Sequence, residues 1–165
     1  NWRWHGVPFY LRTGKRMGRR AGRILVVFRC APVSVFAPLA PDCSVDPNVL
    51  DIAIQQDEGF DLYFEVKKPG QPVTIETEKL RYRYAVSFPR LPDAYETLLL
   101  DVMRGDQTLF VRSDFVDASW MLYDSILKAP PPVHIYQPGT QGPPEFDRLL
   151  EADGRRWFPL SDDEN

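Results

Sequence analysis

Cysteine is scarce in this chain, and so is histidine. Among the 165 residues the cysteines are Cys30 and Cys43, and the histidines are His5 and His134. Two cysteines are too few for a disulfide framework, and their spacing matches no metal-ligand motif. We therefore expect reduced thiols in a cytosolic protein and no metal site. A surface or packing role is the plain interpretation of each histidine.

Long apolar runs are missing as well. No stretch of 18 apolar residues occurs, so the sequence predicts no membrane-spanning helix. No signal peptide opens the chain. It begins instead with the aromatic stretch at residues 1–6, which is unlike a frayed natural terminus. This beginning predicts a piece of a longer polypeptide.

Acidic residues are missing from the first forty positions. That segment has eight basic residues, whereas all twenty-three acidic residues follow it, and the net charge is −3. The acidic body would repel a nucleic-acid backbone, while the basic end favours an anion. The charge pattern therefore predicts a small, local anion as the ligand and no nucleic acid.

Alternation of apolar and polar residues dominates the first half and predicts strands. The predicted strands are Val7–Arg12, Ile24–Phe28, Leu50–Gln55, Phe60–Lys67 and Leu80–Phe88. The second is continuously apolar, which is typical of a strand buried on both faces. No helical pattern separates the strands, so we expect antiparallel neighbours. Acidic residues on them, such as Asp51 and Asp61, are interpreted as a solvated face.

Helical periodicity takes over in the second half. Asp93 and Gly105 bound a first helix as N-cap and left-handed stop. Ser113 caps a second helix that ends before the prolines at 130–132, and a short third helix follows Pro144. The apolar stripes of the first two helices are predicted to lie in the core.

Strands followed by helices indicate an α+β fold. We expect a largely antiparallel multi-stranded sheet with helices packed on one face. No repeat or low-complexity linker interrupts the sequence, which predicts a single domain over residues 1–165.

The stretch that joins the first two predicted strands is the most informative. Residues 11–23 contain six cations and three glycines. Glycines let a backbone pass close to a ligand, and the cations offer charge-assisted hydrogen bonds to a phosphate. A P-loop is excluded, because Phe9 and Arg16 stand where it needs glycine and Ser/Thr. A solvated basic hairpin remains open, as does a nucleic-acid clamp with Trp2, Trp4 and Tyr10.

Five blocks carry a resemblance to a known family. They are Trp4–Lys15, Asn48–Glu58, Leu91–Val102, Phe110–Trp120 and Tyr136–Pro143. They are similar, in order and spacing, to the W-x-G-V-P-F-x-L-R-x-G-K, N-x-L-x-x-x-x-Q-P-x-E, L-P-x-A-Y-E-x-L-x-x-D, F-x-R-x-D…A-W and Y-x-x-G-S-x-G-P segments of glucose-6-phosphate dehydrogenases. The chain resembles the C-terminal domain of that family over nearly its whole length.

The resemblance implies roles for four residues. Lys15 and Arg20 match a basic pair that reaches toward the phosphate of glucose 6-phosphate. Gln55 matches a strand residue that contacts the same substrate. Arg12 occupies a position linked to a second, structural NADP in some members.

The chain departs from the family pattern in several places. Ala53 and Ala21 stand where the structural NADP site has cations, and without cations a 2′-phosphate lacks its main partners. The glycine-rich nucleotide-binding turn of the family is absent. Neither His5 nor His134 matches the catalytic base, so no catalytic residue is assigned. The resemblance places these elements in an N-terminal nucleotide-binding domain that is absent from this chain.

The function implied for the full protein is oxidation of glucose 6-phosphate to 6-phosphogluconolactone with NADP or NAD, in the cytoplasmic pentose phosphate pathway. The nucleotide would bind mainly to the N-terminal domain, so the chain alone is expected to be inactive. Subunits would pair as homodimers or homotetramers through the aromatic strands around residues 60–66 and 80–88. The alternative is a non-catalytic sugar-phosphate-binding or scaffold module.

Overall fold

The computed structural model describes residues 2–30, 46–55, 57–71 and 74–158. The chain divides into two compact units, one formed by Asn1–Arg20 with Pro132–Asn165 and the other by Ala21–Pro131. The single domain over residues 1–165 stays a prediction.

Among the described residues the larger unit contains a four-stranded antiparallel sheet. Its strands are β1 (Gly22–Val27), β2 (Val49–Gln55), β3 (Gly59–Lys67) and β4 (Ile75–Arg83), and they pair in chain order. Each strand pairs antiparallel with the next one along the chain, so no helical crossover is needed between them. A sheet of this kind, followed by helices, confirms the expected α+β class.

The two faces of this sheet differ in chemistry, as strand alternation requires. On one face the strand pairing aligns two apolar rows across the sheet. The rows are Ile24, Ile52, Phe60 and Tyr82, and Val26, Leu50, Leu62 and Leu80. We call this the apolar sheet face. The opposite face aligns Leu25 with Asp51, Asp61 and Arg81.

In the described part of the chain four α-helices follow the sheet, and a 3-10 helix lies at Trp2–Trp4. They are α1 (Tyr84–Ser87), α2 (Ala94–Arg104), α3 (Ser113–Lys128) and α4 (Glu145–Glu151). The carboxylate of Asp93 accepts the Tyr95 backbone N–H at 2.8 Å, and Gly105 ends α2 at a φ of 70°. Both caps of α2 were predicted. At α3 the N-cap is Arg112, one residue before the predicted Ser113.

Two predicted strands are wrong at least in part. Residues 7–12 have no strand pairing, although they alternate. The strand predicted at Leu80–Phe88 begins earlier and ends at Arg83, where the one-turn helix α1 begins. The Tyr84 backbone N–H still donates to the Glu58 carbonyl at 3.0 Å, in register with the β3–β4 pairing, and the Phe88 N–H then donates to the Tyr84 carbonyl at 2.9 Å, which closes the helical turn.

The predicted burial of the apolar segments is also wrong. Among the described residues the buried apolar side chains are Val49 and Leu150. Ile24 and Val26 of β1 are 50% and 40% exposed, so this strand is not covered on both faces. The stripes of α2 and α3 are mostly exposed, and the main helix–sheet contact is that of α1 with β4. The described helices therefore do not form the layer expected on one face.

The expectation of two reduced thiols fails at Cys30, which is disulfide-bonded. Cys43 lies outside the described residues. Among the described residues no helix is long and apolar enough to cross a membrane. Nor does this part of the chain contain a group of three or more side chains suited to a metal ion.

Candidate functional site

Lys15 and Arg20 lie on an irregular loop of the smaller unit. Both side chains are exposed, and neither makes a hydrogen bond or ion pair with a described residue. Exposed cations without an internal partner are available for an anion, since no intramolecular bond has to be broken first.

A second segment of the same unit, residues 136–142, makes hydrogen bonds to the backbone of this loop. The Tyr136 hydroxyl donates to the Lys15 carbonyl at 2.7 Å, and the Gly139 backbone N–H donates to the Arg16 carbonyl at 2.8 Å. The Gly18 backbone N–H donates to the Thr140 carbonyl at 2.9 Å. These residues belong to the turn at 136–142, whose glycine-containing block resembles the family in sequence.

Arg12 is engaged within the same unit. Its guanidinium donates to the backbone carbonyl and, at 3.3 Å, to the side-chain oxygen of Gln141. It also lies 5.8 Å from the ring centroid of Phe146 and 5.4 Å from that of Trp157, within the range of cation–π attraction. Its Nε is buried and has no partner in the described part of the chain.

Gln55 ends β2 in the larger unit and pairs with Gly22 at the start of β1. Its exposed side chain lies over Gly22, where an added Cβ would come within 3.4 Å of the Gln55 Cγ. The absence of a side chain at position 22 therefore leaves room for the Gln55 amide. The structure thus brings Arg12, Lys15 and Arg20 together on one loop, and it places Gln55 in the other unit.

Sequence reasoning missed a buried ion-pair network on the sheet face opposite the apolar one. Asp51 and Asp61 are each only 2% exposed, so they do not form the solvated face that we expected. They stand directly opposite each other on β2 and β3, an arrangement that like charges disfavour. Arginines on the neighbouring strands offset this repulsion.

The arginines bind these carboxylates at two points each. Arg23 on β1 holds Asp51 through Nε, at 2.9 Å, and through Nη2. Arg83 on β4 donates to the two oxygens of Asp61 at 2.6 and 3.0 Å and to Asp57 at 2.5 Å. Arg81 adds a longer contact of 3.3 Å to Asp61. These three arginines on β1 and β4 thus neutralise the two carboxylates on the strands between them.

The two facing carboxyl groups titrate differently. Burial raises the pKa of Asp51, and Arg23 only partly opposes it. Burial would raise the pKa of Asp61 too, but the hydrogen bonds and charge of Arg83, aided by Arg81, lower it below its ordinary value. At Asp51 the effect of burial exceeds that of its one hydrogen-bonded arginine, and the charge of Asp61 raises the pKa further, whereas two arginines hydrogen-bond to Asp61 and outweigh its burial.

We expect opposite pH effects from these two groups. Asp61 stabilises the fold above its unfolded pKa of about 3.9, and this contribution is lost as pH falls through its lower folded pKa. Asp51 contributes most at low pH, and its contribution is lost as pH rises through its raised folded pKa. In chemical denaturation between about pH 2 and 6, Asp61→Asn should reduce the acid loss of stability, whereas Asp51→Asn should increase it. The same change of slope in both variants would contradict these assignments.

Comparison with known proteins gives consistent matches. A family profile described as "Glucose-6-phosphate dehydrogenase, C-terminal domain" matches residues 1–158. A glucose-6-phosphate 1-dehydrogenase of Mycolicibacterium smegmatis is 45% identical over 162 residues, which are 95% of this chain and 32% of that protein. One of Treponema pallidum is 39% identical over 173 residues, 99% of this chain and 34% of that protein.

Solved structures agree. A glucose-6-phosphate 1-dehydrogenase from Mycobacterium avium matches with a TM-score of 0.78 and 26% identity, over all of this chain and 34% of that one. A structure described as a glucose-6-phosphate dehydrogenase in complex with its substrate glucose-6-phosphate matches with a TM-score of 0.72 and 29% identity, over 88% of this chain and 30% of that one.

The matched proteins are dehydrogenases by name, and this chain shares the antiparallel α+β fold of part of them. More particularly, the chain belongs to the family of glucose-6-phosphate dehydrogenase C-terminal domains. It spans about a third of the length of the curated relatives described above.

Proposed function

We propose that the chain is the C-terminal domain of a longer glucose-6-phosphate dehydrogenase. The enzyme would oxidise glucose 6-phosphate at C1 to 6-phosphogluconolactone and pass the hydride to NADP or NAD, as the first step of a cytoplasmic oxidative pentose phosphate pathway. The observation that carries the proposal is the pair of exposed, uncommitted cations, Lys15 and Arg20, in a chain of this family.

Lys15 and Arg20 would bind the phosphate of the sugar. A guanidinium presents forked donors and an ammonium presents a point charge, and both suit phosphate oxygens. Gln55 would donate or accept a hydrogen bond at a sugar hydroxyl, since its amide can do either. A relative's structure holds glucose 6-phosphate, which supports this choice of substrate.

The catalytic nucleotide would be held mainly by the N-terminal part of the protein, and we propose NADP. It supplies the hydride acceptor, and the residues of this chain would only orient the sugar. The second, structural NADP at Arg12 is a poor fit. The Nη2 group of Arg12 already donates to Gln141, and Ala21 and Ala53 offer no charge to a 2′-phosphate. We therefore derive no step through a second NADP.

An activity assay tests the proposal. The full-length protein should reduce NADP or NAD in the presence of glucose 6-phosphate, and the chain alone should not. A full-length protein that binds glucose 6-phosphate but reduces neither nucleotide would favour the alternative, a non-catalytic sugar-phosphate-binding or scaffold module.

We propose homodimers or homotetramers that pair through the apolar sheet face. Its two rows of apolar side chains are partly exposed, and the Phe60 and Tyr82 rings stack at 5.3 Å within them. An isologous contact would bury these rows against themselves.

Substitution on this face should dissociate the assembly. Leu80 on the apolar sheet face and Leu99 on α2 are equally exposed, at 59%. Leu80→Lys should shift the protein to monomers in light scattering at tens of micromolar, because a lysine would be desolvated in the contact. Leu99→Lys should leave the assembly unchanged. Monomers before substitution, or dissociation by Leu99→Lys alone, would refute the proposed surface.

A further inference from the structure

We propose that the turn at residues 136–142 is a positioning element for Lys15, and that the Tyr136 hydroxyl is its main contact. This inference rests on the proposed role of Lys15 in phosphate binding. It adds residues about 120 positions away in sequence, to which neither the family resemblance nor the charge pattern assigned a role.

Besides the bonds from the Arg12 guanidinium to Gln141, the turn makes three hydrogen bonds to the backbone of residues 15–18. The Tyr136 hydroxyl reaches the Lys15 carbonyl at 2.7 Å, and the next carbonyl, of Arg16, accepts from the Gly139 N–H at 2.8 Å. Two residues further on, the Gly18 N–H donates to the Thr140 carbonyl at 2.9 Å. These three hydrogen bonds fix the three successive peptide planes that follow the lysine.

The loop needs this support, because its backbone conformation is unfavourable in isolation. Arg16 has a φ of 56°, in the left-handed region, which costs conformational free energy in a residue with a Cβ. The bond from Gly139 to the Arg16 carbonyl offsets this cost. The turn therefore selects a loop shape that the local sequence does not favour by itself.

Close approach of the two backbones makes the fit specific. A Cβ added at Gly18 would lie 2.7 Å from the Gly139 carbonyl oxygen, closer than real Cβ contacts, so the two segments would have to separate. Because that neighbour is backbone, it cannot rotate away as a flexible side chain can. Glycine at 18 is thus a requirement of the contact between the loop and the turn.

Positioning matters for a phosphate ligand because the strength of a charge-assisted hydrogen bond depends on distance and angle. A lysine on a loosened loop keeps its charge but loses its preset direction, and the ligand must then order it on binding. We expect weaker binding of glucose 6-phosphate with no direct effect on the chemical step.

The test compares two tyrosine hydroxyls of the same unit. Tyr136→Phe removes the bond to Lys15, whereas Tyr10→Phe removes the bond from Tyr10 to Asp153, which does not touch the loop. In the full-length protein, Tyr136→Phe should raise the KM for glucose 6-phosphate about 3–10-fold with little change in kcat or in the nucleotide KM. Tyr10→Phe should leave all three unchanged, even if it lowers the melting temperature to a similar degree.

Hydrogen exchange gives a readout that does not depend on activity. The backbone amide of residue 18, corrected for the intrinsic exchange rate of the residue there, should exchange faster in Tyr136→Phe and in Gly18→Ala, and not in Tyr10→Phe. Gly18→Ala also serves as the second variant, with the same expected rise in KM, if Tyr136→Phe folds poorly. The inference would be overturned if the KM stayed unchanged in both Tyr136→Phe and Gly18→Ala. An equal rise of the KM in Tyr10→Phe would also overturn it.

The Lys15→Ala variant distinguishes a failure of the proposed function from a failure of this inference. If Lys15→Ala leaves the KM for glucose 6-phosphate unchanged, the phosphate-binding role of Lys15 is wrong, and with it the positioning role of the turn. If Lys15→Ala raises this KM and Tyr136→Phe does not, the proposed function stands and the positioning role is wrong.

Discussion

Replacing Lys15 or Arg20 with alanine in the full-length protein should raise the KM for glucose 6-phosphate roughly 10–100-fold. The reason is that a hydrogen bond to a charged group contributes about 1.5–3 kcal/mol, and each 1.4 kcal/mol is a factor of ten in affinity. Both side chains are exposed and have no partner among the described residues, so their removal leaves no internal group unsatisfied. The melting temperature should therefore hardly change.

Arg16 provides the matched control for this pair. It is a cation of the same loop, exposed and also without a side-chain partner among the described residues, but the resemblance assigns it no contact with the substrate. Arg16→Ala should change the KM less than threefold, and the nucleotide KM should stay near normal in all three variants. A raised nucleotide KM with an unchanged sugar KM would contradict the assignment of Lys15 and Arg20.

Replacing Arg83 with methionine should destabilise the protein by about 3 kcal/mol, because breaking a buried ion pair leaves an uncompensated charge behind. The side chain of Arg83 is 10% exposed and that of Asp61 is 3% exposed, so little water would reach the Asp61 carboxylate once its partner is removed. Arg81 remains 3.3 Å from Asp61, which places the effect at the lower end of the range for buried pairs. Chemical denaturation measures the loss.

An exposed ion pair supplies the comparison. Arg112 binds Asp114 at 2.7 Å, and the Arg112 side chain is 81% exposed. Because solvent screens exposed pairs, Arg112→Met should cost less than about 1 kcal/mol. Equal losses in the two variants would show that burial of the network contributes nothing to the stability of the sheet.

The strands and helix ends that could be predicted from the sequence are those whose signal lies close by in the chain. Alternation located β2 and β3 almost to the residue, and the caps of α2 at Asp93 and Gly105 were visible as residue types. In both cases the signal lies within a few residues of the feature. Period-two patterning and capping chemistry are properties of the local backbone.

What the sequence did not reveal depends on residues that are distant in the chain. Asp51 and Asp61 look like a solvated face until Arg23 and Arg83 are placed beside them by strand pairing. The strand predicted to continue through Val86 ends at Arg83, where the chain turns into α1 and the Phe88 N–H donates to the Tyr84 carbonyl. Composition cannot indicate such pairings.

In the candidate site, too, the residue types could be read from the sequence, whereas contacts between distant segments could not. The cation content of the loop and the family resemblance are enough to single out Lys15, Arg20 and Gln55 from the amino-acid sequence alone. The support of the loop by Tyr136 could not be foreseen, because the hydrogen bond joins residues 121 positions apart. The engagement of Arg12 by Gln141 was missed for the same reason.

The central claim, that this chain binds the phosphate of the sugar, is tested most directly by comparing two substrates. Glucose differs from glucose 6-phosphate only in lacking the phosphate, so kcat/KM should be measured for both with the full-length protein and with Lys15→Ala. We predict that Lys15→Ala lowers kcat/KM for glucose 6-phosphate at least tenfold and leaves that for glucose nearly unchanged. An equal loss on both substrates would contradict the account.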